Sequence, residues 1–98
     1  MRKQEQVLRG KWLYDNSVYK PVQVFVIDYD YYYEIAKADG QLETGEEPVL
    51  NEAGEMYMIK WNDDPDFLSF GPIENGGLSL EEAKEKVESK VFGVVWEA

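Results

Sequence analysis

The sequence predicts an α+β fold: an antiparallel sheet of about five to seven short strands, open or small and barrel-like, packed by one C-terminal helix over residues 79–91 and followed by a final strand. Three observations predict it. β-Branched and aromatic residues crowd residues 22–37 with neither Gly nor Pro among them. Turn-forming clusters break the chain at short intervals elsewhere. One late segment repeats its apolar residues at helical rather than strand spacing.

Taken in order, residues 1–8 are basic and are expected to be loose. Residues 9–14 (R-G-K-W-L-Y) read as a short strand that ends in the turn-prone Asp15, Asn16 and Ser17. Pro21 marks the start of the strand expected over residues 22–37. That strand is longer than the usual ~3 to 10 residues, so a bend, bulge or tight turn is expected near Asp28 to Asp30. Residues 38–48, with two glycines, a proline and four acids, read as a solvated loop. Residues 49–51 and 55–61, joined by Glu52-Ala53-Gly54, read as a hairpin. The turn N-D-D-P-D follows at 62–66, then the apolar run 67–70, which Gly71-Pro72 and Asn75-Gly76-Gly77 close.

Residues 79–91 carry the clearest local signal. Ser79 and Glu82 stand at the spacing of a capping box, in which the serine oxygen accepts from an orphan amide and the glutamate reaches back. Leu80, Ala83, Val87 and Val91 then form one narrow apolar stripe. Gly93 suits the helix end, and residues 94–96 return as the closing strand.

At 98 residues the chain makes one domain, spanning 1–98, with a single modest core. Its 44% hydrophobic content, with three Trp, seven Tyr and four Phe, is too apolar for a disordered chain. No cysteine is present, so no disulfide is needed. The basic start lacks the apolar core of a signal peptide, and no run approaches the length of a membrane span. The expectation is a cytoplasmic protein of a bacterium or phage, with no membrane partner.

Charge is the strongest compositional signal, with 20 acids against 10 bases. Residues 1–20 are net +3, residues 21–78 net −11 and residues 79–98 net −2. Such a strong anion repels phosphate backbones and anionic lipid, so direct nucleic-acid binding is not expected. The basic start and acidic middle also allow pairing between copies; the expectation is a monomer or a weak, salt-sensitive homo-oligomer.

The chemistry available is narrow. The chain has no His and no Cys, which removes the imidazole base, the thiolate nucleophile and ordinary zinc or copper sites. No serine lies in G-x-S-x-G and no phosphate-cradling glycine motif is present. Carboxylate pairs such as Asp28 with Glu34, or Asp63 with Asp66, have the residue types of glycosidase chemistry, but acids are numerous enough to pair by chance. Residues 62–66 offer oxygens for a hard cation without the arrangement of a calcium loop. We therefore expect no enzyme, no cofactor and no metal.

On a strand through residues 22–37, the odd positions Phe25, Ile27, Tyr29, Tyr31, Tyr33 and Ile35 would face the core. Asp28, Asp30, Tyr32 and Glu34 would then share the other face, as three acids around one aromatic anchor. These four are the candidate binding residues, suited to a basic protein surface through ion pairs and cation–π contact. Acids on an exposed strand also blunt edge pairing, a duty that needs no ligand.

The expected function is a small acidic protein-binding module of inhibitor, antitoxin or immunity type. One alternative is a DNA mimic, which requires carboxylates in two phosphate-like rows. The other is a small-ligand or carbohydrate binder, which requires a cleft near Tyr32, Trp61 or Trp12.

Overall fold

A computed structural model describes residues 2–97. In chain order the elements are β1 (Gln4–Tyr14), β2 (Val18–Ile27), α1 (Tyr31–Ala38), β3 (Met56–Lys60), β4 (Ile73–Gly77), α2 (Leu80–Lys90) and β5 (Val95–Glu97). The strands form one open antiparallel sheet in the order β4-β3-β2-β1-β5, so the fold is α+β, with the C-terminal helix followed by a final strand.

The first hairpin turns on Asp15 and Asn16, both at positive φ, with the Ser17 amide donating to the Tyr14 carbonyl at 3.1 Å. Two consecutive left-handed residues match the twist of the flanking strands, and Asp and Asn tolerate that conformation better than bulkier residues. Residues 4–8, expected to be loose, are instead strand. Gln4 pairs with Ile27 and Glu5 with Val26, and a register shift between Gln6 and Leu8 marks a bulge. β3 pairs with β2 only from Gln23 to Ile27, and β5 covers only Arg9 to Lys11 of β1. The hairpin end therefore runs past the sheet as a two-stranded ribbon, with Lys11 over Tyr19 and Lys20 over Tyr14.

Strand parity sorts the core into two layers. Val22 and Val24 meet Ile59 and, from α2, Ala83 and Val87. Phe25 and Ile27 face the opposite way and meet Met56, Met58 and Phe67. Helix α2 thus covers the even positions of β2, whereas α1 and the 61–72 connection cover the odd ones. In the first layer Trp12 Nε1 is buried with no hydrogen-bond partner among the described residues, although its ring packs edge-on against Trp61.

Helix α2 follows its sequence signal closely. Ser79 Oγ accepts from the Glu82 amide at 3.1 Å, and Glu82 Oε2 reaches back one residue further than in a standard capping box, to the Leu78 amide at 2.8 Å. Ala83 and Val87 are fully buried, and Leu80 and Val91 partly so. A Cβ at Gly76 would sit 2.9 Å from the Tyr57 carbonyl oxygen and 3.1 Å from Ala83 Cβ, so glycine lets the chain lie close to β3 beneath α2. The Asn-Gly-Gly run, expected as a breaker, pairs with β3 as part of strand β4.

Two further expectations are corrected. The strand expected through residue 37 ends at Ile27, because Asp30 caps a helix. The expected hairpin of 49–51 with 55–61 does not form. Asn51 Oδ1 instead accepts the amides of Ala53 and Glu55, a side-chain turn that leaves β3 to pair with β2 and β4.

Candidate functional site

Asp30 decides the local structure of the tyrosine-rich segment. One carboxylate oxygen accepts the amides of Tyr32 and Tyr33, both at 3.1 Å, and the other accepts the Val49 amide at 2.8 Å. The first pair satisfies orphan donors of α1, and the second ties the 39–55 connection to the helix start. Glu34 in the first turn and Lys37 in the last complement the helix dipole.

Helical geometry disperses the four candidate residues. Asp30 is spent on backbone amides. Tyr32 is 43% exposed and lies near Glu74 and Asn75 of β4; its partial burial, then the charges of Tyr31 and Glu74, raise its phenol above the ordinary value. Asp28 and Glu34 do converge, but around Tyr29 rather than Tyr32.

What they converge on is the start of the chain itself. The Arg2 guanidinium lies 4.2 Å from the centroid of the Tyr29 ring and pairs with Glu34. That bond to Glu34, with Tyr29 and Asp28 close by, raises the guanidinium above its ordinary value. Asp28 Oδ1 accepts the Lys3 amide at 2.8 Å. Lys3 Nζ reaches Glu55 at 2.7 Å, which raises the amine likewise. Gln4 Nε2 donates to the Tyr29 hydroxyl at 2.7 Å. The basic start and acidic middle, opposed in sequence, are neighbours through the β1–β2 ladder. The bases of these pairs are exposed while Glu34 and Glu55 are partly covered, and pairs this open to water are weak.

The second region is the 61–72 connection on the same side of the sheet. Lys60, the last residue of β3, is fully buried and points with Gln23 into this layer. Its Nζ is enclosed by the carbonyls of Asp66 (2.8 Å), Phe67 (3.1 Å) and Ser69 (2.9 Å) and by Ser69 Oγ (2.5 Å). Gln23 donates to the Asp64 carbonyl at 2.7 Å and accepts from Gln6. Asp64 Oδ1 accepts the Asp66 amide at 2.9 Å, and Asp66 Oδ1 the Leu68 amide at 2.9 Å. The Asp66 amide, then the Ser69 hydroxyl, with Lys60 nearby, hold the Asp64 carboxyl below its ordinary value.

Sequence reading missed Tyr29 and this connection. Strand parity puts Tyr29 with the core, and it does pack there, partly buried against the Phe25, Ile27, Met56, Met58 and Phe67 cluster; what parity does not show is the Arg2 guanidinium over its ring. For Lys60 no local signal exists, since its surroundings come from residues that follow it around a loop.

Among the described residues, no group of three or more metal-ligating side chains could hold an ion. An open surface groove of about 430 Å3 lies between α2 and β4, lined by Gly76, Gly77, Glu82, Glu85, Lys86 and Ser89. Its lining includes none of Tyr32, Trp61 and Trp12, near which the small-ligand or carbohydrate alternative requires a cleft. No described helix is long and apolar enough to cross a membrane. Compared with known proteins, the chain matches no family model, no curated sequence and no solved structure.

Proposed function

We propose that the chain is a small non-enzymatic protein-binding module, of inhibitor, antitoxin or immunity type, whose anionic surface receives a basic partner. The observation that carries this reading is the seating of Arg2 between Tyr29 and Glu34. A guanidinium lying over an aromatic ring and paired with a carboxylate is the contact that a basic partner would repeat. Asp28 and Glu34 keep the contact role expected for them, Tyr29 replaces Tyr32 as the aromatic element, and Asp30 serves the helix start. Asp39, Glu43, Glu46, Glu47 and Glu52 in the adjoining 39–55 connection extend the negative field, which steers a basic partner from a distance.

The test is capture of partners from native-host extract. Asp28→Lys with Glu34→Lys should abolish capture of a basic protein, whereas Glu81→Lys with Glu85→Lys, exposed acids on α2, should leave it intact. Equal capture by both variants would refute this choice of surface.

A further inference from the structure

We propose that Leu68 and Phe70 form an apolar docking tip that enters a pocket rimmed by Lys and Arg on a partner protein; this deepens, and rests on, the anionic-surface reading above. Leu68 is 65% exposed and Phe70 101%, so the phenyl ring gains nothing from the fold that displays it. A serine or lysine at either position would serve the isolated chain better, because displayed apolar surface costs solvation and invites association.

The display follows from how the connection is built. Burying the Lys60 amine requires acceptors, and the chain supplies them by turning the carbonyls of Asp66, Phe67 and Ser69 inward. Side chains then alternate. Phe67 goes in, with its ring 5.3 Å from Phe25 and 5.8 Å from Tyr31. Ser69 goes in to reach Lys60. Leu68 and Phe70, on either side of Ser69, are left outside.

The base of the loop is closed as well. The Trp61 amide donates to the Pro72 carbonyl at 3.0 Å, and Asn62 Nδ2 to the Phe70 carbonyl at 3.4 Å. Gly71 has φ +154° and packs so tightly on Asn62 that a Cβ would collide with its amide. The tip is therefore preorganised, and little ordering entropy remains to be lost when it binds.

Charge complementarity names the occupant. Asp63, Asp64 and Asp66 lead into the tip, the Asp66 carboxylate accepting the Leu68 amide at 2.9 Å, while the Lys60 amine is buried and turned inward. An apolar anchor flanked by carboxylates on its leading side fits a hydrophobic pocket with Lys or Arg at its rim, the arrangement of a hot spot beside a charged border. The same carboxylates repel an anionic membrane surface.

The experiment places the photocrosslinking side chain benzoylphenylalanine at position 70 of the full chain in the native host, with a matched control at Phe92, which is 64% exposed. Crosslinked peptides are then sequenced by mass spectrometry. The expected result is one protein crosslinked from position 70 and not from 92, through apolar residues flanked by Lys or Arg. With that protein purified, Phe70→Ser should weaken binding by about 30-fold or more while leaving the circular dichroism unchanged. The same set of adducts from both positions, adducts to a second copy of this chain or to lipid, or an acidic contact surface would each overturn the proposal. The two readings separate cleanly. If position 70 crosslinks the partner and Asp28→Lys with Glu34→Lys does not weaken it, the tip stands and the Arg2 patch falls. If the charge variants abolish binding while position 70 gives no adduct, the tip falls.

Discussion

The two faces of the sheet are built by different physics. The face under α2 is apolar: Val22, Val24, Ile59, Ala83 and Val87 close it, and the helix that covers it is capped by its own sequence. The opposite face buries Gln23 and Lys60 among Phe25, Ile27, Met56 and Met58. Its cover is one short helix with no fully buried residue and a connection held by side chains bonded to backbone. The first face is stabilised by surface removed from water; the second buries Phe25, Ile27, Met56, Met58 and Phe67 as well, but adds hydrogen bonds that must be satisfied. Non-directional burial tolerates small changes, whereas a half-satisfied polar network is costly.

The largest expected effect separates the faces directly. Lys60→Met leaves the carbonyls of Asp66, Phe67 and Ser69 without their shared donor, at a cost on the order of 3 kcal/mol. Val87→Ala removes apolar contact alone and should cost about 2 kcal/mol. Urea unfolding measures both, and amide exchange distinguishes them. Exchange at residues 66–70 should accelerate selectively in Lys60→Met and not in Val87→Ala; uniform acceleration in both would mean that the faces do not differ in kind.

A smaller effect compares the two helix caps. Ser79→Ala removes one acceptor and should cost ~1 kcal/mol. Asp30→Ala removes the cap of α1 and the tie to Val49 together, and should cost about twice as much. Equal losses in thermal unfolding would show that the Val49 tie contributes nothing.

The smallest effect is one of pH. The Asp64 carboxyl is held below its ordinary value, so the order it brings to residues 64–69 is complete above the usual aspartate range and is lost only as pH falls through the lowered folded value. Amide exchange at Asp66 should therefore stay protected through mild acid and rise only below the range in which an ordinary aspartate protonates. A rise centred within that ordinary range would contradict it.

Much of the first face was legible from residues alone. Ser79, the 80-83-87-91 stripe and the β-branched start of β2 are local signals, and each survives in the fold. The second face was not, for reasons tied to particular residues. The Tyr31–Tyr33 run has strand propensity, yet two amide bonds to Asp30 and the packing of Tyr31 on Phe67 commit it to helix. Ile73 to Gly77 is punctuated like a turn, but pairs with β3 as a strand, its glycine at 76 lying too close to the Tyr57 carbonyl to carry a Cβ. The four-residue candidate site rested on strand parity, and the bend at Asp28 dissolved it into an Arg2-binding pair, a helix cap and a tyrosine turned toward β4.

The Asp15-Asn16 hairpin bears on how this chain reaches its fold. Its strands are consecutive and its turn is self-supporting, so their contacts close the shortest loops in the sheet and carry the smallest entropic cost. The pairing of β5 with β1 joins Glu97 to Arg9 and must close almost the whole chain. By loop length alone the first hairpin is the pairing cheapest to close in this sheet, and the β1–β5 pairing the most costly unless the strands between them are already in place.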